Sequence, residues 1–191
     1  MRESFRTVLE DNPVIIAIKN EEELEKCLTK EPKVVFVLYG DICSITGIVA
    51  RLKEAGKVAV VHMDLIIGIS GKEAAVDYLK EQVGADGIIT TKSNLIKRAR
   101  QQGLYTVLRF FVMDSMSLLN IEKQVGQTSP DVIEILPGVM PKVIRQVTEK
   151  MKRSRVPVIA GGLIRDREDV MAALNAGAVS VSSTNETVWN L

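Results

Sequence analysis

Short apolar runs rich in valine and isoleucine alternate along this chain with longer stretches whose apolar residues recur every three or four positions. The runs span residues 14–19, 34–39, 58–64, 87–91, 106–112, 132–136, 156–160 and 179–182. Their near-continuous apolar character predicts parallel strands covered on both faces. Between them, Ile45, Ile48, Val49 and Leu52 share one face of a helix, as do Val143, Ile144, Val147 and Met151. Asn20 and Asp166 are placed to cap helices that follow them. Gly56, Gly84, Gly103 and Gly177 stand where helices should stop.

Eight such alternating units predict an α/β fold: a compact (β/α)8 barrel of the TIM type, one domain over residues 1–191. A doubly wound open sheet is the alternative, but the first strand leads into Lys19-Asn20-Glu21-Glu22, with no glycine-rich turn. The 191 residues are few for a barrel, which commonly takes about 250, so the helices must be short.

Composition narrows the chemistry. A net charge of +1 gives no global field toward nucleic acid or membrane. Cys27 and Cys43 lack the spacing of a metal site or redox motif, and two free thiols suit a cytoplasmic setting. His62 is the single histidine, which argues against a multi-histidine metal centre. The start, Met1-Arg2-Glu3-Ser4, is charged and has no apolar leader, and no stretch is long enough to cross a membrane. No metal, cofactor or membrane partner is expected.

Two segments near the end carry the strongest chemical signal. Gly161-Gly162 follows the seventh strand, and Ser182, Ser183 and Thr184 end the eighth, just before a short helix beginning near Asn185. Loops after strands 7 and 8 form the common phosphate site of such barrels. Glycine lets an anion approach the backbone, and hydroxyls add donors. Each segment alone also reads as an ordinary turn.

Other polar residues fall at strand ends. His62 and Asp64 share a strand face, Lys92 follows the fourth strand, and Arg109 and Glu134 sit on neighbouring strands where they pair if both point inward. His62 is expected to be a hydrogen-bonded orienter rather than a base. Glu134 opens Glu134-Ile135-Leu136-Pro137-Gly138, with Pro141 placed for the first turn of a helix. The turn after the third strand holds Leu65, Ile66, Ile67 and Ile69, suited to a lid or to contact with a second copy in a homodimer. Basic residues gather at Lys142, Arg145, Lys150, Lys152, Arg153 and Arg155, and again at Lys97, Arg98 and Arg100. Such faces bind nucleic-acid backbone or are simply solvated.

With these residues in view, the chain resembles the glycerol uptake operon antiterminator regulatory proteins, the glycerol-3-phosphate-responsive antiterminator family. The likeness runs through Asn12-Pro13-Val14-Ile15-Ile16, His62-Met63-Asp64-Leu65, Asp86-Gly87-Ile88-Ile89, Phe111-Val112-Met113-Asp114-Ser115, Glu134-Ile135-Leu136-Pro137-Gly138, Ala160-Gly161-Gly162-Leu163 and the ending with Trp189. It implies a regulator that senses glycerol 3-phosphate and acts on leader mRNA so that transcription reads through into glycerol-utilisation genes. On that reading the phosphate meets Gly161, Gly162, Ser182, Ser183 and Thr184, the hydroxyls meet Glu134, Asp64 or Lys92, and the turn after the third strand closes over them. RNA would meet the basic helix at Lys142 and onward. The rival is a barrel isomerase, aldolase or synthase acting on a small phosphorylated substrate. It would use Asp64, His62 or Glu134 as base, or Lys92 or Lys19 as amine.

Overall fold

The computed structural model describes residues 3–191; Met1 and Arg2 of the charged start lie outside them. The first half runs α1 (Phe5–Glu10), β1 (Val14–Ile18), α2 (Glu21–Cys27), β2 (Val34–Val37), α3 (Ile45–Glu54), β3 (Val58–His62), α4 (Glu73–Glu81) and β4 (Gly87–Thr90). The second runs α5 (Ser93–Gln101), β5 (Tyr105–Phe111), α6 (Ser115–Thr128), β6 (Val132–Leu136), α7 (Pro141–Met151), β7 (Val158–Gly161), α8 (Arg167–Asn175), β8 (Ser180–Ser183) and α9 (Glu186–Trp189). All neighbouring strands are parallel, and β8 pairs with β1, so the sheet closes into the expected barrel.

The helix boundaries follow from capping. Asn20 and Asp166 accept hydrogen bonds from the backbone N–H of Glu23 and Asp169, each at 2.9 Å. Pro141 opens α7. The four glycines expected to end helices all adopt positive φ, between 67° and 104°, a region that costs other residues a steric clash.

Alternation along the strands divides the core. Outward residues such as Ile16, Val35, Val61 and Ile88 pack under Leu24, Ile45, Val49 and Leu52; on the other side Leu108, Ile133 and Ile135 pack under Ile144 and Val147. Inward residues Ile15, Val34, Phe36, Val60, Ile89, Val107, Val132 and Ile159 fill the barrel. Each fully buried side chain of this size contributes roughly 1.5–3 kcal/mol.

The sequence pattern does not predict α1, which is only six residues long. Its Phe5 and Leu9 join the inward cluster and seal the end where the strands begin. Phe5 stacks on Tyr105 with ring centroids 4.4 Å apart, and Ser180 Oγ hydrogen-bonds the carbonyls of Leu9 and Asn12. Above this apolar floor the interior turns polar, at His62, Arg109, Glu134 and Ser182.

The turn after β3, suited by its sequence to a lid or to contact with a second copy, is tied to the segment after β2. Ile67 N–H donates to the Gly40 carbonyl at 3.0 Å, and Ile42 N–H donates back to the Ile67 carbonyl at 2.9 Å. Ile66 is buried, whereas Leu65 and Ile67 are exposed. Backbone bonds to the segment after β2 hold this turn in place.

Candidate functional site

Register places Arg109 directly opposite Glu134, and both point into the barrel as expected. Arg109 Nε donates to Glu134 Oε2 at 2.6 Å, and Ser182 Oγ donates to Glu134 Oε1 at 2.6 Å. Gly161 lies between Glu134 and Ser182 on the intervening strand. A Cβ there would stand 2.4 Å from Glu134 Oε1 and 2.6 Å from Ser182 Oγ. Gly161 is therefore the gap through which the carboxylate of β6 reaches the hydroxyl of β8. Charge-assisted bonds of this kind are about twice as strong as neutral ones and act against the cost of burying both ions.

Above the network opens a cavity of about 400 Å³, walled by Lys19, Leu38, Arg109 and Leu136 and by the loops at 162–165 and 182–185. Gly162 and Leu163 are consecutive left-handed residues, with φ of 76° and 63°. The backbone N–H groups of Gly162, Leu163 and Thr184 have no acceptor among the described residues. Successive unpaired N–H groups in such a turn form an anion-binding concavity.

The three hydroxyls have different jobs. Ser182 is committed to Glu134, and Ser183 donates to the Ile164 carbonyl at 2.7 Å while accepting from Asn185 N–H at 3.0 Å. Only Thr184 keeps a hydroxyl with no partner among the described residues. Trp189 fixes this end of β8 from beneath, its indole N–H donating to the Ser183 carbonyl at 2.8 Å. Positive charge comes from Lys19, whose Nζ lies 3.6 Å from Glu23, and from Arg165, which has no carboxylate partner among the described residues. Arg165 was not singled out in the sequence, because nothing in its neighbourhood marks it as facing a cavity.

Asp64 and Lys92 stand elsewhere. They belong to the ends of β3 and β4, opposite β7 and β8 in the barrel order, and neither lines this cavity. Asp64 accepts from both threonine hydroxyls, Thr90 and Thr91, and from Thr91 N–H at 2.8 Å; Lys92 Nζ lies 3.5 Å away. Burial raises the Asp64 pKa, but these hydrogen bonds outweigh it and leave the carboxyl below its ordinary value. His62 is not the hydrogen-bonded orienter expected. Its Nδ1 is buried without a partner, and burial, helped by the charge of Arg109, pushes the imidazole down to about 4. The ring is neutral at physiological pH.

Residues 14–189 match the family described as glycerol-3-phosphate responsive antiterminator. The chain belongs to this family. It is 49% identical over 184 residues to YgcP of Escherichia coli K12, described as uncharacterized, covering 96% of this chain and 95% of that one. The glycerol uptake operon antiterminator regulatory protein of Listeria monocytogenes superposes with a TM-score of 0.88 at 31% identity, over 92% of this chain and 94% of that chain. A glycerol uptake operon antiterminator-related protein of Thermotoga maritima gives 0.82 at 31% identity, over 94% and 99%. A deoxyribose phosphate aldolase from Aeropyrum pernix, at 13% identity with a TM-score of 0.74 over 96% and 90%, shares the fold alone.

In this antiterminator-family chain the basic residues line two adjoining recesses that share Arg145. Lys142, Arg145 and Lys150 edge a trough of about 790 Å³ between α6 and α7, floored by Leu118 and Leu119. Lys152 and Arg155, together with Arg145, line a cleft at the sealed end of the barrel, and Arg153 is exposed beside them. Within the trough set, Lys142 and Arg145 have no carboxylate partner among the described residues, while Lys150 Nζ lies 3.7 Å from Glu122. The second basic run is largely engaged: Arg98 holds Asp77 through two bonds of 2.8 Å, and Arg100 caps the Thr128 and Ser129 carbonyls. Among the described residues no helix is long and apolar enough to cross a membrane.

Proposed function

We propose that this chain is a glycerol-3-phosphate sensor that acts on leader mRNA to allow transcription to pass a terminator, without catalysing a reaction. The observation that carries the reading is the cavity over β7 and β8, where unpaired N–H groups of Gly162, Leu163 and Thr184 sit with Lys19 and Arg165. The phosphate is assigned to these groups rather than to the hydroxyls of Ser182 and Ser183, whose protons are already committed. The RNA phosphates are assigned to Lys142, Arg145 and Lys150 along the trough. The exposed Ile42, Leu65 and Ile67 are the surface assigned to a second copy of the chain in a homodimer.

The enzyme reading fits the chemistry less well. Among the described strands none contains lysine, and Lys19, the amine at the cavity wall, is ion-paired 3.6 Å from Glu23, whereas a Schiff base needs a free, neutral amine. Glu134 is fully buried with both oxygens engaged, His62 is neutral, and Asp64 is held ionised by its hydrogen bonds. A general base must reach a substrate proton with a pKa near the working pH, and none of the three combines these.

Calorimetric titration with glycerol 3-phosphate, glycerol and inorganic phosphate tests the ligand, and leader-RNA mobility shift with and without that ligand tests the switch. Saturable binding of the phosphorylated compound, unchanged on recovery, supports the sensor. Consumption of the compound would overturn it. A switch also requires that the ligand bind the RNA-competent state more tightly, so RNA must raise ligand affinity by the same factor.

A further inference from the structure

We propose that Arg109 is the residue that reads the carbon-chain end of the ligand, and that Glu134 is the positioning residue that aims it. The proposal rests on the reading above that the cavity takes a small phosphorylated polyol. The family resemblance offers Glu134, Asp64 or Lys92 to the ligand hydroxyls. Glu134 borders the cavity but is 0% exposed, and its two oxygens already receive Ser182 Oγ and Arg109 Nε.

Arg109 is in the opposite position. A guanidinium carries five N–H donors, and only the Nε donor is spent on Glu134. Nη1 and Nη2 have no acceptor among the described residues, yet the buried side-chain polar atom left unpartnered there is His62 Nδ1. The two Nη groups therefore reach open space, and Arg109 lines the cavity. It sits two residues before the end of β5, roughly 7 Å of strand rise below the mouth. The phosphate donors lie above it, in the loops beyond β7 and β8. A ligand with its phosphate on those loops directs its carbon chain down toward the guanidinium.

The chemistry of that deep end is specific. Arg109 offers donors only, so the ligand must present an acceptor oxygen there. Because Glu134 already balances the charge, a neutral hydroxyl or carbonyl oxygen matches the site better than a second full anion. The ligand class is a short phosphomonoester with an uncharged oxygen on its far carbons. Glu134 fixes the guanidinium plane, Ser182 fixes Glu134, and Gly161 leaves the space in which they meet.

Calorimetry with glycerol 3-phosphate, propyl phosphate and inorganic phosphate tests this on the whole chain, on Arg109→Lys and on the paired Arg109→Gln/Glu134→Gln. The paired variant removes both buried charges together, so it keeps the test open if the lysine variant does not fold. The unsubstituted chain is expected to prefer glycerol 3-phosphate to propyl phosphate by about 10–100-fold, the range of hydrogen bonds to a charged group. In the variants that preference should collapse while affinity for inorganic phosphate stays. A preference that persists in the variants, or equal weakening of all three compounds, overturns the role of Arg109. So does equal binding of the two esters by the unsubstituted chain, which leaves the phosphate reading intact. Failure of the unsubstituted chain to bind any of the three overturns the phosphate reading itself, and this proposal with it.

Discussion

Glu134 Oε1 and Ser182 Oγ meet at 2.6 Å across an intervening strand, a contact that requires Gly161 between them to have no side chain. Gly161→Ala should push Glu134 off Ser182 and Arg109 and cost about 1–3 kcal/mol, the usual penalty of overpacking a filled interior. Urea denaturation measures it, and an unchanged midpoint would show that the network yields easily.

The opposite sign is expected at Gly126. It is exposed within α6, and an added Cβ meets nothing within 4 Å. Gly126→Ala should stabilise the chain by about 0.8–1 kcal/mol through helix propensity alone. Thermal melts of the two alanine variants side by side separate packing from propensity.

Gly162 combines a φ of 76° with Leu136 Cδ2 only 3.2 Å from where its Cβ would be. Gly162→Ala should cost about 1–2 kcal/mol in the left-handed region. Gly162→Val should eliminate the calorimetric response to glycerol 3-phosphate while the circular dichroism of the barrel persists. Wild-type affinity in that variant would remove this turn from the site.

His62 sets a pH dependence. Its ordinary value is 6.5 and its folded value about 4, so between these the unfolded chain binds a proton that the folded chain refuses. Stability is therefore complete above pH 6.5 and falls as the pH drops toward 4, by up to roughly 3 kcal/mol. The imidazole C2 proton resonance should stay flat down to about pH 5. A midpoint near the ordinary value would mean the ring is solvated.

Lys142 and Lys150 line only the trough, and Lys152 and Arg155 only the sealed-end cleft, so charge reversals at the two pairs separate the recesses. Lys142→Glu/Lys150→Glu, at the trough, should weaken leader-RNA binding and flatten its salt dependence by about 0.7–0.9 per lost phosphate contact. Lys152→Glu/Arg155→Glu, at the sealed end, should leave it nearly unchanged. The reverse pattern in a mobility-shift series would move the RNA to the other end of the barrel.

Most of the barrel was legible because strands buried on both faces read as unbroken apolar runs. Arg109 and Glu134 were legible for a related reason: a charged residue inside such a run has few places to go except the interior. The site was less so. Whether Ser183 offers a proton to a ligand depends on the Ile164 carbonyl 2.7 Å away, and linear order does not reveal that. Asp64 and Lys92 looked like site residues because every strand end faces one rim, but barrel order decides who is adjacent on that rim. The basic segment spreads over two recesses joined at Arg145 because α7 ends at Met151 while the cations run on into the following turn. Six residues of α1 are too few to carry a helical period.

That small helix has a wider consequence. With Phe5 and Leu9 stopping one end, the barrel is a cup and not a tube, and a molecule resting on Arg109 lies beneath the rim at Leu163 and Arg165. Any macromolecule seated across that rim would slow both arrival and escape of the small molecule. Occupancy and partner binding would then be linked in time as well as in affinity.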